Sequence, residues 1–184
     1  MSLVGFSARN HPQQSGRRGA LESVDDRKTP ADLFAAIASD WGPFTLDAAA
    51  SAENAQCARY VDRETDGLAQ SWVGERVWVN PPYSDLRPWL EKAWAETGAD
   101  VVAMLLPANR TEQRWWQDLV EPYRDRAGSP LRTRFYPGRP RFSLPGQRSV
   151  LGDRPPFGVV LVVWATSAPP RPVVPPDLFT GAPL

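Results

Sequence analysis

Val77-Trp78-Val79-Asn80-Pro81-Pro82-Tyr83-Ser84 joins an apolar, β-rich run to a stiff polar corner, and most of what the chain can do follows from that junction. The run predicts a strand, and the Asn-Pro-Pro-Tyr segment puts a rigid turn at its carboxyl end, where open α/β sheets bind ligands. Proline fixes φ and carries no N–H, and Pro82 drives Pro81 toward extended geometry. The turn therefore presents oriented carbonyl oxygens with few competing donors. Such a corner suits an amino group. The Asn80 side-chain oxygen and the Pro81 carbonyl can each accept one hydrogen bond from an exocyclic –NH2, drawing its lone pair out of conjugation and toward an electrophile. Tyr83 offers a flat face for an aromatic base swung out of its stack.

Toward the amino terminus, Phe44-Thr45-Leu46-Asp47 reads as a short buried strand. Ala48-Ala49-Ala50-Ser51 follows as a turn of small residues that lets backbone approach a ligand closely, and residues 52–60 predict a helix. Asp47 can accept bonds from a cationic amino group or cap that helix. Before it, Thr29 reads as the N-cap and Pro30 as the first residue of a helix with Leu33, Phe34, Ile37 and Ala38 on one face, ending before Gly42. Its free N–H groups suit a carboxylate. Residues 59–61 predict a second short strand. Asp62 after it is placed for ribose hydroxyls and Asp66, before Gly67, for a nucleobase, although so dense a cluster of charges also describes a solvated loop.

Toward the carboxyl terminus, Trp89, Leu90, Ala93 and Trp94 recur at helical spacing within 86–97. Residues 101–107 form a continuous apolar run expected as a central strand buried on both faces. Arg110 lies just past its carboxyl end, on the same sheet edge as Asn80, as a candidate for substrate or phosphate contact or for capping. A helix follows from Thr111 to about residue 120. Residues 133–142 predict two short strands around Pro137-Gly138, with Arg139 and Arg141 on one face and Phe142 on the other. Residues 147–155 read as a polar loop able to drape over a substrate, and 157–164 as a second fully apolar strand.

The chain has 184 residues, 42% of them hydrophobic, enough for one domain with a real core. Cys57 is the only cysteine and His11 the only histidine, which leaves no disulfide framework and no zinc cluster, so no metal is expected. No apolar run approaches the ~20 residues of a membrane span, and residues 1–18 lack a signal-peptide core, so a cytoplasmic protein is expected. Acidic and basic residues balance at 21 each, but unevenly: residues 31–123 carry 15 acidic and 7 basic side chains, whereas 124–154 carry 8 arginines and 2 aspartates. An arginine-rich segment laced with Phe135, Tyr136 and Phe142 suits a polyanion with stackable bases, or describes a solvated hairpin.

Asn-Pro-Pro-Tyr is similar to the [DNS]-P-P-[YFW] motif of amino-group methyltransferases that use S-adenosylmethionine (AdoMet). Further landmarks fall in one order: Thr29-Pro30-x-x-Leu33-Phe34, Phe44-x-Leu46-Asp47-Ala48-Ala49-Ala50-Ser51, Asn54-x-x-Cys57-x-Arg59-Tyr60, Asp66-Gly67-Leu68, Trp72, Leu105-Leu106-Pro107-Ala108, Arg134-Phe135 and Gly138-Arg139. Over residues 29–164 the chain resembles the phage-type DNA N-6-adenine methyltransferase family. It departs from the general methyltransferase pattern where Ala48-Ala49-Ala50-Ser51 stands in place of a Gly-x-Gly.

The resemblance implies an α/β fold with a single Rossmann-like sheet, mostly parallel, with an antiparallel strand near the C-terminus and helices on both faces. Residues 29–166 would form the methyltransferase domain, between a flexible polar arm (1–28) and a Pro-rich tail (167–184). AdoMet is the implied cofactor, with Thr29, Pro30, Asp47, Ala48, Ala49, Asp62, Asp66 and Asn80 around it. DNA is the implied partner, met by Arg110, Arg134, Arg139 and Arg141. Asn80, Pro81, Pro82 and Tyr83 would be the catalytic turn for methylating adenine in the manner of a phage or prophage modification enzyme. RNA or protein-glutamine amino methylation, and a non-catalytic nucleic-acid-binding protein on the same frame, remain open from the residues, as does the oligomeric state.

Overall fold

The structure is a computed structural model that describes residues 28–142 and 157–165. The expected arm (save its last residue), the 147–155 loop and the Pro-rich tail lie outside the described residues. The elements are α1 (Ala31–Trp41), β1 (Leu46–Asp47), β2 (Arg76–Val79), α2 (Arg87–Ala95), β3 (Val101–Pro107), α3 (Arg114–Leu119), β4 (Leu131–Phe135) and β5 (Val159–Ala165). They form a mixed α/β fold around one five-stranded sheet of order β1-β2-β3-β5-β4. β1, β2 and β3 pair in parallel, and β5 runs antiparallel between β3 and β4. Four strands therefore point one way and β5 the other.

The apolar runs explain the centre of this sheet. Every residue of β3 and β5 is buried, and the two-residue period of a strand deals them alternately into two cores. Val102, Met104, Leu106, Val160, Val162 and Trp164 join Leu90 of α2 and Trp116 of α3. Val101, Ala103, Leu105, Leu161 and Val163 join Leu33, Ile37 and Trp41 of α1. Each large aliphatic side chain among them contributes about 1.5–3 kcal/mol on burial. α1 closes at Gly42, where an added Cβ would stand 2.6 Å from the Ala38 carbonyl oxygen. The Arg76 guanidinium donates to the Trp41, Gly42 and Pro43 carbonyls, tying the helix end to the start of β2.

Several expectations are corrected. Pro30, not Thr29, is the N-cap of α1. The Pro30 carbonyl accepts the first helical bond from the Phe34 N–H, and proline has no side-chain acceptor, so the cap carries no side-chain hydrogen bond. Residues 52–60 are a series of turns rather than a helix, because side chains compete for their amides: Gln56 N–H goes to the Asp47 carboxylate and Ser51 N–H to Asn54 Oδ1. The strand read at 59–61 shrinks to a single parallel bridge between Tyr60 and Asp47. Finally, residues 139–142 form no strand. Pro137 and Pro140 cannot donate to a ladder, and β4 takes β5 as its partner instead.

Candidate active site

Parallel pairing places the carboxyl ends of β1, β2 and β3 on one sheet edge. Asp47 ends β1, Asn80 follows β2, and Ala108 to Arg110 follow β3. The antiparallel β5 brings its amino end to the same edge, where the Ala108 N–H donates to Gly158 O and the Tyr136 N–H to Val159 O. Residues far apart in sequence thus meet along one rim.

In the corner itself Asn80 is part-buried, Pro81 buried, and Pro82 and Tyr83 part-buried. The Tyr83 ring leans on Phe157, centroids 6.0 Å apart and planes at 52°. Its hydroxyl oxygen is sequestered without a hydrogen-bond partner among the described residues. Burial pushes that phenol well above its ordinary pKa, with the Arg110 guanidinium pulling the other way, so Tyr83 stays neutral at physiological pH. Arg110 is part-buried and its Nη1 donates to the Tyr83 carbonyl at 2.6 Å.

Asp47 is buried, at 2% exposure. Its Oδ2 accepts from Gln56 N–H at 2.9 Å and its Oδ1 from Ala49 N–H at 3.4 Å. Burial outweighs these bonds and raises the carboxyl to about 6. Gln56 Nε2 in turn donates to the Thr29 carbonyl at 3.1 Å, which links the start of α1 to the loop after β1. On this loop and helix start two buried hydroxyl oxygens, Thr29 Oγ1 and Ser51 Oγ, lack a hydrogen-bond partner among the described residues. Unsatisfied hydroxyls and a buried carboxylate on this loop and helix start leave polar partners for a ligand. Gln56 does not stand out in the sequence, because residues 52–60 read as a helix and a glutamine within one carries no signal, and Ser51 reads there as a small turn residue rather than for its hydroxyl. Phe157 reads there only as the first residue of an apolar strand.

Ala48 is fully buried, and Gly67 sits so close that an added Cβ would be 2.0 Å from the Ala48 carbonyl oxygen. That contact seats the 62–67 loop against the end of β1. Asp62 closes the loop's own turn, accepting from Thr65 N–H and Thr65 Oγ1 at 2.9 and 2.5 Å, bonds that lower its pKa. Asp66 adopts φ 53° and accepts from Leu68 N–H at 3.0 Å. Both carboxylates are thus turn-formers, on the rim side of the Tyr60 bridge. Cys57, part-buried near Asp47, has its thiol pushed up to about 12, by burial first and then by the Asp47 charge, which removes a thiolate nucleophile at neutral pH.

The predicted nucleic-acid arginines divide. Arg134 pairs with Asp40 of α1 at 2.5 Å and lies over the Tyr136 ring, so it would reach a phosphate only by giving up that pair. Arg139 and Arg141 are exposed, alternating with buried Pro140 and Phe142. A groove of about 670 Å³ is lined by Arg87, Gln113, Arg114, Trp115 and Asp118, none of them a sequence-predicted site residue. Among the described residues no group of three or more His, Cys, Asp or Glu is placed to hold a metal, and no helix is long and apolar enough to cross a membrane.

Comparison with known proteins gives a family match to DNA N-6-adenine-methyltransferase (Dam) over residues 19–126, a span that includes Asp47, the Asn-Pro-Pro-Tyr corner and Arg110. The chain is 36% identical over 104 residues to the DNA N-6-adenine-methyltransferase of Escherichia phage T1, covering 53% of this chain and 44% of that protein. It is 26% identical over 76 residues to the enzyme of the same name from Haemophilus phage HP1, covering 41% of this chain and 44% of that protein. Each of these matches spans less than half the length of the phage relative. No solved structure matches.

Proposed function

This chain belongs to the DNA N-6-adenine-methyltransferase family, and from that membership we propose that it moves a methyl group from AdoMet to the 6-amino group of adenine in DNA. The single observation that carries the reading is the rim on which the Asn80-Pro81-Pro82-Tyr83 corner and the buried Asp47 end neighbouring parallel strands. Residues 29–166 are then a Rossmann-like methyltransferase domain. The reversed β5 and the separate packing of α1 against one core and α2 and α3 against the other support helices on both faces of its sheet.

When bound, AdoMet supplies an electrophilic methyl group on a sulfonium. The residues that would hold it are Thr29 and Pro30 at the start of α1, Asp47-Ala48-Ala49 at the end of β1, and Asp62 and Asp66 in the seated loop. The orphaned Thr29 and Ser51 hydroxyls and the Asp47 carboxylate supply the polar partners such a molecule needs. Asn80 Oδ1 and the Pro81 carbonyl accept from the adenine amino group and hold its nitrogen lone pair in line. The Tyr83 ring supports the base, flipped out of the duplex. No side chain of the corner takes the departing proton, because an amide is not a base at neutral pH and the phenol is sequestered and neutral, so the proton leaves to water. Exposed Arg139 and Arg141 meet backbone phosphates. A phage or prophage enzyme of this kind works in the host cytoplasm.

Incubation with methyl-labelled AdoMet and, in parallel, DNA, RNA and a protein extract, followed by digestion to nucleosides and amino acids, tests this. Label in N6-methyladenine from DNA is expected. Label confined to RNA or glutamine, or no label anywhere from folded protein, would overturn it.

A further inference from the structure

The geometry points to Arg110 as a positioning residue for the Asn-Pro-Pro-Tyr corner: it braces the Tyr83 carbonyl rather than contacting DNA phosphate. The inference deepens the reading above and rests on it for its catalytic consequence. Neither Pro81 nor Pro82 has an N–H to donate, so the two prolines add acceptors to the corner but no main-chain donors. A main-chain bond that closes on it, from Asp85 N–H to Pro82 O, is long at 3.4 Å. An outside donor to the Tyr83 carbonyl ties the far end of the corner to the rest of the fold.

Arg110 supplies one from 27 residues away, at 2.6 Å. A charge-assisted hydrogen bond of this length is roughly twice as strong as a neutral one. Its own footing is firm, since it stands just past β3, the fully buried strand paired on both sides, and Ala108 two residues earlier is bonded to Gly158. The Arg110 carbonyl also accepts from Gln113 N–H at 3.1 Å. The bond therefore fixes the corner relative to the central strand. Phe157, just before β5, holds the ring of the same tyrosine from the side. Loss of the brace would let Tyr83, and Asn80 three residues before it, drift from the reacting amine. Displacements near 1 Å can cost about 100-fold in rate.

Full-length wild type, Arg110→Ala and Arg110→Lys are compared in two ways. In steady-state methylation of DNA, Arg110→Ala should lose about 10- to 100-fold in kcat with KM for DNA, its salt dependence and AdoMet affinity within about 2-fold, and Arg110→Lys should regain part of the loss through one remaining donor. By hydrogen–deuterium exchange, which needs no activity, the segment 83–86 should exchange faster in Arg110→Ala while β3 and β5 stay protected. A rise in KM together with a salt slope shallower by about 0.7–0.9 would make Arg110 a phosphate contact and overturn the proposal, as would unaltered exchange over 83–86. Wild type that methylates no adenine would sink the adenine reading alone, leaving the brace to be judged by exchange.

Discussion

A carboxylate taken out of water costs free energy unless it is paired, and among the described residues two amide donors offset the near-complete burial of Asp47. Its carboxyl consequently rises to about 6, which makes it responsive to a cation. A bound ammonium or sulfonium favours the ionised form and pulls the pKa back down, so cofactor binding near pH 6 should release protons. The sign follows directly: AdoMet affinity should be flat from pH 7 to 8 and weaken by up to about 10-fold per unit as pH falls below 6 and the carboxyl protonates. Asp47→Asn should bind more weakly and lose that dependence. Calorimetry in buffers of differing ionisation heat reads both, and a wild-type affinity constant from pH 5 to 8 would remove Asp47 from the cofactor.

Among the elements, β3 and β5 are readable from sequence because an uninterrupted apolar run of strand length leaves little else for the chain to do. Both lie within about two residues of the expected limits. The 52–60 segment is not, since its conformation is set by long-range demand: the Asp47 carboxylate pulls in the Gln56 amide nine residues on, and no local pattern encodes that. The Asp66-Gly67-Leu68 motif is visible in the sequence but its work is not. Gly67 is needed for close approach to the Ala48 carbonyl, which presses the 62–67 loop onto the end of β1. Gly67→Ala should therefore cost about 1–3 kcal/mol by overpacking and weaken AdoMet binding, whereas Gly74→Ala, strained by about 1–2 kcal/mol at its φ of 74°, should leave AdoMet binding unchanged, because its Cβ would meet nothing within 4 Å. Thermal denaturation and AdoMet titration of the two variants check this. Equal AdoMet affinity for both would detach the loop from the cofactor.

For the molecule as a whole, the direction of the strands is implied by the family resemblance, and which strands are neighbours is not legible in the sequence. Nothing local in 159–165 announces that β5 inserts between β3 and β4, yet that insertion carries Phe157 to Tyr83 and Tyr136 to the rim. Charge is legible only as segments. The basic stretch suggests a phosphate surface, but Arg134 is held by Asp40, which leaves exposed Arg139 and Arg141 to face solvent. Replacing both with alanine should weaken DNA binding and make its salt slope shallower by about 0.7–0.9 for each phosphate no longer neutralised. A slope unchanged from wild type would place DNA on another surface. The central claim, that the double-proline corner holds an adenine amine for methyl transfer, is tested most directly by Asn80→Ala, assayed side by side for AdoMet binding and for N6-methyladenine formation. Methyl transfer should fall by at least about 100-fold while AdoMet affinity stays within a few-fold. Parallel loss of both, or full retention of transfer, would contradict it.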